Sequence, residues 1–135
     1  MPAQTIARQK YGFSKVISLP FPAAMEKAKQ ALTQQGFGVL AEIDIRKAMK
    51  EKLNVEYPNY TILGACNPQL AHRALEAEPR LGLLLPCNVT VREVEAGTEV
   101  AVVDADAMLS VVENQKLQPV ADEASQRLQR VLEAM

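Results

Sequence analysis

The sequence predicts an α+β domain: a single mixed, mainly antiparallel sheet of about five strands packed with helices. Three observations carry this. Segments with apolar residues at three- and four-residue spacing are interleaved with short apolar runs, as helices and strands require. The run from Arg92 and the run from Glu99 are separated only by a turn at Glu95-Ala96-Gly97, so they pair antiparallel. The alternation lacks the regularity of a wound parallel sheet. At 135 residues the chain fits one domain with a real core, and residues 1–10, which show little periodicity, read as a loose start.

Taken in order, Tyr11, Phe13, Ile17 and Leu19 share one parity, with Lys15 the exception, and predict a half-buried strand over about 12–19. Pro20 and Pro22 end it, and Pro22 suits the first turn of a helix whose stripe is Phe21, Met25, Ala28 and Leu32. Gly36 stops that helix. Phe37 to Ile43 reads as a second strand. A short helix follows around 46–53, with Ile45, Ala48, Met49 and Leu53 turned inward. Tyr60 to Ala65 is a third strand, and Asn67-Pro68 opens a helix that Pro79 closes, Asn67 as cap and Pro68 in first position.

Leu81 to Val91 is the longest strand expectation. Leu83-Leu84-Leu85 implies burial on both faces and a central place, with the ladder interrupted at Pro86, which has no N–H to give. After the hairpin, Asp104 to Asp106 cap a short helical piece, and Val120, Ala124, Leu128, Val131 and Leu132 form the stripe of a last helix over about 119–132.

Composition excludes more than it selects. Fifteen basic against 16 acidic residues give a net charge of −1, without the basic face of a nucleic-acid binder, and 4% aromatic residues leave little for base stacking. No apolar run approaches the roughly 20 residues of a membrane span. The first residues lack signal-peptide organisation, so the cytoplasm is the expected location. There the two cysteines, Cys66 and Cys87, are expected to remain reduced.

Chemistry-bearing residues cluster in 62–89, where both cysteines and the only histidine lie. Cys66 and Cys87 suit small apolar fillers at strand ends. Cys66 also stands where a strand meets a helix start, a position that activates a thiol. A soft-metal or haem-type grouping would draw on Cys66, Cys87 and His72 or Met108, but the spacing defines no metal site, and no cofactor is specified. His72 falls on the wet face of its helix with Arg73, and pairs with Glu76 at a spacing of four. Asn67 reads as a cap; Asn88, an amide in a buried strand, needs partners. Asp44, Asp104 and Asp106 are most simply explained as caps.

Gly36-Phe37-Gly38-Val39-Leu40-Ala41-Glu42-Ile43-Asp44, Tyr60 to Pro68, Ala71-His72-Arg73-Ala74-Leu75, and Gly82 to Val89 together resemble the signature blocks of the domain-of-unknown-function 302 family. The resemblance implies a small α+β domain and a homodimer, and implies no activity, substrate or cofactor. It transfers motif positions onto Gly64, Cys66, Asn67, Pro68, His72, Arg73, Pro86, Cys87 and Asn88. The Asp-Pro that often follows the last strand in the family is Asp104-Ala105 here.

The leading expectation is a small-ligand-binding or sensor-like domain with a polar site at strand ends, formed by Cys66, Asn67, Cys87 and Asn88 with His72 and Arg73 nearby. Interrupted ladders and helix starts offer donors there for a small polar or anionic ligand. A thiol-dependent enzyme using Cys66 and a structural or interaction module without chemistry are the alternatives.

Overall fold

Alternating burial along the strands and a buried stripe along each main helix assemble into a sheet with helices on one side. In the computed structural model, which describes residues 5–135, the strands are β1 (Ala7–Gln9), β2 (Gly12–Ile17), β3 (Gly38–Asp44), β4 (Tyr60–Cys66), β5 (Cys87–Val94) and β6 (Gly97–Val103). The helices are α1 (Phe21–Gln34), α2 (Ile45–Leu53), α3 (Pro68–Ala77), α4 (Ala105–Ser110) and α5 (Gln118–Glu133). The sheet has six strands in the order β1-β2-β6-β5-β4-β3, and every neighbouring pair is antiparallel. The additional strand is β1, inside the segment expected to be loose; residues 1–4 of that segment lie outside the described residues.

Because side chains alternate along a strand, one face of this sheet is dry and the other wet. Phe13, Ile17, Leu63, Ala65, Val89, Val91, Val100 and Val102 are buried on the dry face, against α1 and α5. Lys15 shares that parity and solves the problem of its charge at the sheet border: its Nζ donates to the Leu132 carbonyl oxygen at 3.2 Å, while the stem covers apolar surface. Tyr11, expected inward, sits in the β1–β2 turn and is 75% exposed.

Ends are set by local chemistry. Gly36, at φ +83°, closes α1, with the Phe37 N–H donating to the Leu32 carbonyl at 2.9 Å. Asp44 and Asp104 cap α2 and α4 by accepting from Lys47 N–H and Ala107 N–H, as expected. Asp106 does not cap; it lies in the first turn of α4, where its Oδ1 accepts from Gln118 Nε2 at 3.3 Å.

The run Leu81–Leu85 departs from expectation. Pro79–Leu84 is a 3-10 segment, Leu81 alone in it is fully buried, and Leu83 is 85% exposed. Consecutive leucines satisfy a tight helical turn as well as a strand, and Pro79 and Gly82 favour the turn. Pro86 therefore precedes β5 and interrupts no ladder. β5 is nonetheless an interior strand, between β4 and β6. α2 packs less deeply than its pattern implied: it buries no residue, and Leu53 is 66% exposed. It packs against β4 and contributes no residue to the buried core. Among the described residues no helix is long and apolar enough to cross a membrane.

Candidate functional site

The end of β4, the start of β5 and the first turns of α3 meet at one place. Ala65 and Cys87 are paired across β4 and β5, so Cys66 and Asn67 follow immediately beside the first residue of β5. Asn67 caps α3, its Oδ1 accepting from Leu70 N–H at 3.2 Å, and it is 9% exposed. The cap turns the chain so that Leu70 and Ala74 face inward and α3 lies over the strand ends.

Between these elements and α5 is a cavity of about 290 Å³, at the small end of the range for small-molecule sites. Its wall is almost wholly apolar, with Phe37, Leu70, Ala74, Leu85, Val120 and Ala124 among its residues, and Leu40 and Leu75 are its exposed rim. Cys66, Asn67 and Cys87 supply its polar and sulfur atoms, and no charged residue among those described lines it. Phe37, Leu70 and Ala124 carry no sequence signal that separates a cavity wall from ordinary core.

The two thiols differ. Cys87 is buried, which pushes its pKa up to about 11, and the nearby Cys66 thiol adds to the rise. It is accordingly a protonated, weakly nucleophilic group at neutral pH. Cys66 is partly exposed, and both cysteines are free. Among the described residues no group of His, Cys, Asp and Glu could hold a metal ion.

The remaining predicted residues lie elsewhere. Asn88 has the opposite parity to Cys87 and points to the wet face of the sheet, beside Tyr60, Thr90 and Arg92. Its amide is exposed to water, so it needs no protein partner. His72 and Arg73 are on the outer side of α3: His72 Nε2 is 3.1 Å from Glu76, with the imidazole 76% exposed, and Arg73 is 3.7 Å from Glu123 of α5. Thus Cys66, Asn67 and Cys87 share a cavity, and Asn88, His72 and Arg73 are outside it. The donors expected at the α3 start are also few. Pro68 has no N–H, and the Leu70 and Ala71 N–H groups are used by Asn67, leaving Gln69.

An antiparallel sheet covered by helices on one face, with a small apolar cavity at its strand ends, defines an α+β domain with a candidate ligand site. The chain belongs to the family described as domain of unknown function DUF302, whose model matches residues 13–135. It is similar to the crystal structure of an uncharacterized conserved DUF302 protein from Bacillus stearothermophilus, at 25% identity and a TM-score of 0.84, over 91% of this chain and 96% of that one. No curated protein matches.

Proposed function

We propose that this domain binds a small, mainly apolar ligand in the cavity bounded by β4, β5, α3 and α5. The observation that carries the reading is an apolar cavity, open at Leu40 and Leu75, into which three of the six sequence-selected residues converge. Native proteins fill their cores nearly completely, so a cavity of this size with a rim on the surface is a feature to be explained. The absence of a lining charge and the single spare amide at the α3 start favour an apolar ligand over an anion. A thiol-dependent activity would fall to Cys66, because Cys87 is held protonated by burial.

Native mass spectrometry of protein purified from its own host tests this, alongside the cavity-filling variant Ala71→Phe. The expected result is an additional mass on the native protein, lost on denaturation and absent from A71F. A bare protein mass in the native protein, with no probe molecule shifting cavity resonances, overturns the reading.

The same domain is proposed to act as a cytoplasmic homodimer. β3 is an edge strand whose Leu40 and Ile43 are 70% and 50% exposed, on an edge that offers unpaired backbone groups to a second copy. Light scattering at twice the 14.8 kDa chain mass supports this, and the monomer mass at micromolar concentration rejects it.

A further inference from the structure

Two of the six glycines of this chain have no local reason to be glycine. Gly36 and Gly97 take positive φ, +83° and +143°. At Gly12 and Gly64 an added Cβ would lie 2.8 Å from the Val102 carbonyl oxygen and 2.8 Å from Pro86 Cγ. Gly38 and Gly82 have neither constraint: φ is not positive, and a Cβ at either meets no atom within 4 Å. Gly82 also stands inside the 3-10 segment Pro79–Leu84, where glycine is less stable than alanine. Of these two, Gly82 alone lines the cavity, on its exposed side with Leu40 and Leu75. Its missing side chain leaves the mouth of the cavity clear. Leu40 reaches that mouth where the β3–β4 register shifts between Val39 and Ala41, an irregularity of the kind that re-aims a side chain.

The interior gives a ligand little to hydrogen-bond. Asn67 Oδ1 accepts from the Leu70 N–H, and Nδ2 lies toward Gly36 and Arg127, neither of which lines the cavity. The Cys87 thiol is buried, and a thiol is a weak donor and acceptor. A polar group carried inside would lose its hydration without replacement, whereas at the mouth it stays in water.

We infer that the ligand of this cavity is a single-chain amphiphile, such as a fatty alcohol, a fatty acid or an alkyl glycoside. Its hydrocarbon chain is held between β4, β5, α3 and α5, and its polar head stays in water at the mouth kept clear by Gly82. The inference rests on the reading of the cavity as a ligand site and names the class of ligand. Selection acts on the chain and not on the head: the wall recognises methylenes, and the mouth tolerates heads of different charge and size.

The test titrates 1-hexanol, 1-octanol, octanoate and octyl glucoside, each below its micelle concentration, into the isotope-labelled full chain. Amide shifts at Cys66, Asn67 and Cys87 locate binding. 1-Octanol is expected to bind about tenfold more tightly than 1-hexanol, since each buried methylene is worth about fourfold. Octanoate and octyl glucoside should bind within about threefold of 1-octanol, because their heads remain hydrated. Gly82→Phe places a ring at the mouth without filling the cavity. It is expected to weaken octyl glucoside about fivefold more than 1-octanol, while Gly38→Phe changes neither.

Octanoate or octyl glucoside binding more than about threefold more weakly than 1-octanol shows an enclosed head and overturns the inference, leaving the cavity a ligand site. Equal affinity for 1-hexanol and 1-octanol overturns it as well, since the chain is then not buried. An unchanged ratio of octyl glucoside to 1-octanol affinity in folded G82F overturns the placement of the mouth. No shift with any probe removes both the inference and the reading beneath it. The comparison of heads and chains is made on the parent protein, so it decides the matter even where a variant fails to fold.

Discussion

Gly64 lies against the ring of Pro86: a Cβ added at 64 would be 2.8 Å from Pro86 Cγ, and 3.6 Å from Ala41 Cβ on the other side. Strand β4 therefore holds β3 and the residue preceding β5 at a spacing that only glycine permits. Gly64→Ala is expected to destabilise the fold by about 1–3 kcal/mol, the usual cost of overpacking. In a Pro86→Ala background the same substitution should cost less, because the atom it strikes is gone. Chemical denaturation of the four proteins of this cycle measures both; equal costs in the two backgrounds would show that Pro86 is not the obstacle.

The thiols should label in a fixed order. With its pKa near 11, Cys87 carries little thiolate at pH 8, whereas Cys66 is partly exposed. Iodoacetamide is expected to modify Cys66 in the folded protein and Cys87 only on unfolding. Peptide mass mapping across a labelling time course checks the order, and Cys87 reacting first would contradict the burial described.

Asp106 sets a pH dependence with a definite sign. Partial burial, then the neighbouring Asp122 carboxyl and Asp104, raise its pKa from 3.8 to about 6, and Gln118 Nε2 bridges Asp106 and Asp122 at 3.3 and 2.8 Å. A raised acid is easier to accommodate protonated. Its contribution is therefore fully present below pH 3.8 and is lost as pH rises through about 6. Asp106→Asn is expected to be more stable than the parent at pH 8 and equal to it near pH 4. Because the group is only partly buried, the gain should stay below about 1 kcal/mol. Melting temperatures of both proteins over this range test the sign, and a D106N that is less stable at pH 8 reverses it.

His72→Ala should leave stability within about 0.5 kcal/mol of the parent, since the His72–Glu76 pair is solvent-exposed and exposed pairs contribute little. Any mass retained by the native protein should also persist, because His72 is outside the cavity. Loss of binding in folded H72A would place the imidazole in the site after all.

Much of the fold was legible because it follows from local chemistry. Asn67-Pro68 announces a helix start by its cap and ring, Gly36 announces a helix end, and the spacing of Val120, Ala124 and Leu128 carries the buried face of α5. The Leu81–Leu85 run misled because apolar content without alternation does not separate a strand from a tight helical turn. β1 is three residues long and too short for periodicity to show. The site was legible only in part. That Cys66, Asn67 and Cys87 meet depends on the β4–β5 register. Asn88 was drawn to them by adjacency in sequence, yet one residue along a strand is the opposite face. Nor can spacing reveal that Phe37 and Ala124, distant in the chain, stop short of filling the space between them.

The strand order also has a consequence for how the chain assembles in time. β5 and β6 form a hairpin closed by two residues, Glu95 and Ala96, whereas β2 reaches β6 only by pairing residues far apart in the sequence, such as Gly12 with Val103. Closing a short loop costs little entropy and closing a long one delays the reward, so the hairpin is the natural nucleus and the β1–β2 edge joins late. Pulse-labelled hydrogen exchange during refolding should protect Val89 and Val100 before Phe13. The border fixed by Lys15 and Leu132 would then close the sheet last, from its two most distant parts.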